Sequence, residues 1–192
     1  MGTLSSSFNS SCHFAVAGSP DRLRMVSDRD VNETPIPAAE PSSVNAYHQS
    51  HIALLSRSLR LWTGQSLVGS ETVDLTTARE IFEAPFALVS HGVEKVPVFN
   101  YGNRTALGLF EMEWVDFIAL PSHLSAESES QAERNRLMER VTRHGYVDDY
   151  SGVRISARGR RFHIDQATVW NMIDESGVYR GRAALFDSWN YV

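Results

Sequence analysis

Several groups of side chains in this 192-residue chain have types and spacings that could do chemistry. His48 and His51 stand one helical turn apart, a geometry in which two imidazoles can share a metal ion. No Glu lies between them and no third ligand follows nearby, so an ordinary polar helix face is the expectation. His163 and Asp165 lie in an extended run, where alternate residues share a face. A hydrogen-bonded pair on the solvent side of a sheet is expected there. Asp148 and Asp149 are adjacent carboxylates. Neighbours on a strand point to opposite faces, so the two cannot share a proton as a catalytic dyad does. One of them is expected to meet an arginine. Arg154, Arg158, Arg160 and Arg161 crowd around one turn and could hold an anionic ligand or an acidic partner. A solvated turn is the preferred reading. There is no Gly-rich phosphate loop, no nucleophile elbow and no Ser/His/Asp spacing. That is weak evidence against an enzyme, because catalytic groups assemble in space rather than in sequence.

The elements that would position these groups follow from periodicity and turn chemistry. Residues 1–43 are rich in Ser, Pro and Asp, and are expected to be a flexible, disordered segment that buries too little surface to offset chain entropy. Residues 44–69 form an N-terminal unit. Within it Ile52, Leu55, Leu59 and Trp62 step by 3, 4 and 3, the period of an amphipathic helix, and Gly64 is placed to end it. So short a helix must lay its stripe on the domain or on a second copy of the chain. Residues 70–192 form the main domain. Thr77 to Glu80 read as a capping box opening a short helix stopped by Pro85. Phe86 to His91 and Val96 to Tyr101 read as strands. Asn103 caps a helix through Phe110. Glu113 to Leu120 make another short helix, and Ser130 to His144 a longer one, with its own capping box at Ser130 and Glu133. From Gly145 onward, three extended runs are separated by turns at Ala157-Arg158-Gly159 and Asp174-Glu175-Ser176-Gly177. Two strands, a cluster of short helices and three further strands give an α+β plan.

Composition bounds the function. Eighteen basic against 23 acidic side chains leave a net charge of −5, which argues against nucleic acid and against a polybasic membrane anchor. No apolar run approaches the roughly 20 residues that span a bilayer. Cys12 is the only cysteine, so no disulfide within the chain and no cysteine zinc cluster can form; a cytoplasmic setting is expected. Gly2 and Ser6 fit a myristoylation pattern only formally.

The segments LLSRSLRLWTG, APFALVSHG, FNYGNRTALGLFEM, LPSHLSAE and DDYSGVRIS resemble the MEKHLA domain, a PAS-like family. Asn100 and Asn103 occupy the strand-end and helix-start positions of the PAS pattern. The resemblance implies a five-stranded antiparallel sheet with short helices on one face and a flanking N-terminal helix. It implies a stand-alone bacterial-type member and a sensory or regulatory module without established catalysis. The same family supplies the C-terminal domain of plant class III homeodomain–leucine zipper proteins, but no homeodomain or zipper is present in this sequence, so DNA binding does not carry over. Light-sensing PAS domains place a cysteine after the Asn strand for a flavin adduct. This chain has none there, which excludes that photochemistry and leaves noncovalent flavin open. Haem is disfavoured, and no cofactor is named.

The resemblance also implies a cavity between the sheet and the short helices. Its candidate walls are Val89, Phe99, Asn100, Asn103, Trp114, Phe117, Trp170 and Phe186. The preferred reading is a non-enzymatic module that binds a small molecule or a protein partner and passes the change to the helix of Ile52, Leu55, Leu59 and Trp62. A homodimer through that stripe is plausible on symmetry grounds. The alternatives are a small α+β isomerase or hydrolase using the same cavity, and a scaffold without a cavity.

Overall fold

The computed structural model describes residues 39–69, 72–126 and 131–192, with side chains from residue 136 onward in the last stretch. Residues 1–38, including Cys12, and the capping box at Ser130 and Glu133 therefore lie outside the described residues.

A 3-10 turn (Ser43–His48) leads into α1 (Gln49–Thr63), then α2 (Leu75–Phe82), β1 (Ala87–His91) and β2 (Phe99–Gly102). Next come α3 (Arg104–Phe110), α4 (Trp114–Phe117), a 3-10 turn (Ser122–Ser125) and α5 (Gln131–His144). The chain closes with β3 (Tyr146–Ile155), β4 (Arg161–Ile173), β5 (Tyr179–Phe186) and β6 (Ser188–Tyr191). The sheet runs β2-β1-β5-β4-β3, every pair antiparallel. The expected fifth strand is interrupted at Asp187, so its end is a sixth strand, β6, which pairs with the first half of β4.

Register assigns the two faces. Val89 lies opposite Ala184, Ala184 opposite Val169, and Val169 opposite Val147. Directly opposed residues share a face, and this row meets Leu137 and Val141 of α5. We call it the inner face. Phe99, Phe110 and Phe117 extend it: the Phe99 and Phe117 rings stack at 4.5 Å, and Phe110 meets the edge of Phe162 at 5.3 Å. The next row, Tyr101, Ser90, Ala183, Trp170 and Tyr146, faces the other way. That outer face is covered by α1, whose His51 ring lies 5.5 Å from Tyr101.

The stripe on α1 therefore packs on the chain's own sheet. Ile52 and Leu55 are fully buried and Leu59 nearly so against the chain's own sheet, while Trp62, the fourth residue of the stripe, is half-buried. Ser58 fixes the docking: its hydroxyl donates to the Ile173 carbonyl at 3.0 Å and accepts from the Ile173 amide at 2.9 Å. On α2 the cap is not Thr77 but Asp74, whose carboxylate accepts from the Thr77 amide at 2.7 Å. The apolar positions Ala78, Ile81 and Phe82 then turn into the core.

β4 departs from plain alternation. Between Ile164 and Ala167 it carries one residue more than β3 opposite, and Gln166 takes φ +50°. This bulge reverses the parity of the strand. Phe162 and Ile164 point inward before it; Val169 and Asn171 point inward after it. β3 carries a compensating irregularity at Asp148 and Asp149, which are both exposed instead of alternating. Gly181 has φ +120°, and a Cβ there would sit on the His91 carbonyl oxygen, so the β1–β5 pairing depends on glycine at this point.

Candidate functional site

The inner face and α5 enclose a small cavity of about 70 Å³. Val89, Phe99, Phe110, Ile164 and Phe186 supply apolar walls, and Leu137 and Met138 of α5 form the roof. Arg154, Arg182 and Ser122 bring polar groups to it, and among the described residues its lining includes no acidic side chain. The Arg182 guanidinium is held by three neutral acceptors: Asn171 Oδ1 at 3.2 Å, Thr142 Oγ1 at 2.9 Å and Met138 Sδ at 2.7 Å. Arg154 donates to the Tyr150 hydroxyl at 3.1 Å and lies over the Tyr150 ring at 5.4 Å. Ser122 Oγ is buried and has no hydrogen-bond partner.

Asn171 links the cavity roof to α1. Its side chain donates to the Val141 carbonyl on α5 at 3.1 Å, and its backbone amide donates to Gly145 O at 2.9 Å. Its own carbonyl accepts from Trp62 Nε1 on α1 at 2.8 Å. Gly145 ends α5 at φ +85°, and a Cβ there would collide with the Trp62 ring. The end of α5 and the end of α1 thus meet through one residue of the sheet.

The predicted walls divide between the two faces. Val89, Phe99 and Phe186 line the cavity. Phe117 stacks behind Phe99 against Gly102 without lining it. Trp170 is fully buried on the outer face, away from the cavity, because the β4 bulge reverses the parity. Trp114 packs on His48, with ring centres 5.3 Å apart. Asn100 accepts from Ser90 Oγ at 2.6 Å, again on the outer face. Asn103 is fully buried and joins α2, β1 and α3. Its Oδ1 accepts from the Leu88 and Ala106 amides at 3.0 and 3.1 Å, and its Nδ2 donates to the Phe86 and Ile81 carbonyls at 2.7 and 3.2 Å. Sequence reasoning missed Arg182, Arg154's inward role, Ser122 and Asn171. Only the β5 alternation of Arg182 with Ala183 carried a hint.

The two histidines are not on a polar helix face, contrary to expectation. His48 ends the 3-10 turn at φ 56° and is buried against Tyr101 and Trp114. Neither of its nitrogens has a hydrogen bond of acceptable geometry, and the same holds for Tyr101 Oη and Trp114 Nε1. Burial lowers the His48 pKa, partly opposed by the nearby Ala39 carbonyl. His51 lies 2.9 Å from Ser90 Oγ, whose single proton goes to Asn100. With Ser90 donating to Asn100, His51 is assigned as the donor through Nε2. Burial, with the nearby His48 adding, lowers its pKa to about 4. Burial likewise pushes the Tyr101 phenol up. Among the described residues no cluster of three metal-binding side chains occurs. Asp165 accepts from Ser151 Oγ at 2.7 Å rather than pairing with His163. Asp149 meets Arg140 at 2.9 Å, the arginine contact expected of this carboxylate pair.

A 2-1-5-4-3 antiparallel sheet, with short helices between its second and third strands closing one face over a cavity, defines a PAS-like domain. The fold resembles the PAS domain of a protein from Colwellia psychrerythraea at a TM-score of 0.51 and 11% identity, covering 61% of this chain and 94% of that one. Within this class the chain belongs to the MEKHLA domain family, which matches residues 49–191. It is 25% identical over 185 residues to homeobox-leucine zipper protein ATHB-14 of Arabidopsis thaliana, covering 93% of this chain and 21% of that protein. It is 23% identical over 167 residues to ATHB-9 of the same plant, covering 83% of this chain and 20% of that protein. The chain thus spans about a fifth of the length of these curated relatives. No helix among the described residues is long and apolar enough to cross a membrane.

Proposed function

We propose that this chain is a non-enzymatic sensory module that binds a small ligand in the cavity beneath α5 and reports occupancy to α1. The observation that carries the reading is the Asn171 junction. A ligand that lifts or seats α5 acts on the Val141 and Gly145 carbonyls, and the residue holding them also holds Trp62. A linkage of this kind couples two sites without a large rearrangement. The cavity is well below the roughly 300 Å³ at which drug-sized pockets begin, so the occupant has only a few heavy atoms. A flavin would require the roof to move. In this reading Asn103 is a structural tie, and Phe117 and Trp114 support the wall. The module works in the cytoplasm, and any second copy or protein partner docks elsewhere than on Ile52, Leu55 and Leu59.

Mass spectrometry tests the reading directly. Protein purified under native conditions is expected to carry a small mass that denaturation releases, or to take up a probe compound. Hydrogen exchange of the α1 amides should then slow on binding. Binding with no change in α1 exchange would refute the transmission route, and the absence of any occupant or uptake would refute the ligand site.

A further inference from the structure

We infer that the cavity beneath α5 is a subsite for a small carboxylate, with its charge on Arg182 and Arg154 and its short alkyl part among Val89, Phe99 and Ile164. This rests on the reading of that cavity as a ligand site and adds the chemistry of its occupant.

Three arginines among the described residues pair with carboxylates, Arg104 with Glu83 at 2.8 Å, Arg140 with Asp149 at 2.9 Å and Arg180 with Asp174 at 2.7 Å, while Arg57 donates to the Ile173 carbonyl and Arg160 lies over the Tyr191 ring. Arg154 and Arg182 pair with no carboxylate among the described residues. Both are half-buried, and their bonds go to a phenol, an amide, a hydroxyl and a thioether. A guanidinium is permanently charged and has no acceptor, so its charge can be balanced only by an anion. Two half-buried guanidinium charges with no carboxylate among their described partners favour an incoming anion. A carboxylate entering the cavity supplies what the walls lack and forms charge-assisted bonds of the stronger kind.

Ser122 Oγ is an independent observation. The residue is 7% exposed, lines the cavity and has no partner for its hydroxyl. Buried hydroxyls are normally satisfied, so an acceptor belongs beside this one. Size restricts the choice further. At about 70 Å³ the cavity is a small fraction of a drug-sized pocket of roughly 300 Å³, which suits acetate or propionate better than an aromatic acid. By contrast, the open groove between α1 and the Asp174–Gly177 turn sets Arg57, Arg60 and Arg180 among Asp174 and Glu175, and Arg180 already pairs with Asp174 at 2.7 Å.

The test is a thermal-shift and calorimetric titration of the full chain at constant ionic strength. The probes are sodium acetate and propionate, the isosteric acetamide and propionamide, and 1-propanol. The carboxylates are expected to raise the melting temperature saturably at millimolar concentration. The amides should need at least about tenfold more. Arg182→Gln should abolish the carboxylate response. Because Arg182 also ties α5 to Asn171, Arg154→Gln is the second variant and should weaken the response severalfold; the wild-type comparison of acid with amide stands without either. Amides or propanol binding as well as the acids would overturn the charge assignment while leaving a ligand site. If no probe of any kind binds, both this inference and the ligand-site reading fall.

Discussion

Acidification is expected to unfold this domain through His51. The ordinary histidine pKa is 6.5, and the folded value is about 4. Because the folded pKa is depressed, protons between these two values bind the unfolded chain in preference. The stabilisation from keeping His51 neutral is complete above pH 6.5 and is lost as the pH falls through 4. The shift spans about 2.5 pH units, worth about 3 kcal/mol by pH 4. His51 retains some exposure, so that figure is a ceiling. His48, lowered by burial on the same face, acts with the same sign. The carboxylates lowered by hydrogen bonds and arginines, Asp74, Asp149 and Asp174, lose their contribution only below their ordinary value of 3.8 and leave the window to the histidines. Urea midpoints measured every half unit from pH 7.5 to 4.5 are the assay. A loss of 2–3 kcal/mol corresponds to a drop of roughly 1–2 M urea for a domain of this size. His51→Gln can still donate to Ser90 but does not titrate, and should remove most of the slope. A midpoint flat across that range, or a variant as acid-sensitive as wild type, would show that His51 is solvated in the folded state.

Asn103→Ala breaks four hydrogen bonds in a fully buried position and removes the cap of α3, and should cost about 3–4 kcal/mol in denaturant melts. A cost under 1 kcal/mol would mean that water replaces the amide. Leu55→Asp places a carboxylate in the core where Leu55 is fully buried and should abolish cooperative unfolding, whereas Leu61→Asp, at a position 63% exposed, should change stability by no more than about 0.5 kcal/mol. A folded, stable Leu55→Asp protein would mean that α1 does not dock on the sheet.

The strands and turns were legible because their signals are local. Gly159 and Gly177 hold the two turns, Gly64 and Gly145 end their helices, and Asn103 caps α3. The fold class followed from element order, and the family from the segments that resemble it. The site was legible only in part. Val89, Phe99 and Phe186 sit on regular stretches of strand, where alternation holds. Trp170 was misplaced because a bulge leaves no mark in composition: Gln166 is an ordinary residue forced to φ +50° by pairing on both sides. His48 and His51 look like a polar face, since only tertiary contact with Tyr101 and Trp114 buries them. Arg154 stood out only as one of four arginines around a turn and Arg182 not at all, because which groups surround a guanidinium is a property of three-dimensional neighbours.

The irregular residue in β4 also fixes what length changes the strand can survive. Upstream of Gln166 the even-numbered positions lie on the inner face; downstream the odd-numbered ones do. The strand is two half-strands of opposite phase joined at one point, much as two reading frames are joined by a single-base insertion. Deleting Gln166 would leave both halves intact as sequence yet incompatible as structure. Either Phe162 and Ile164 would rotate into water, or Asn171 would turn its amide away from Val141 and release the end of α5.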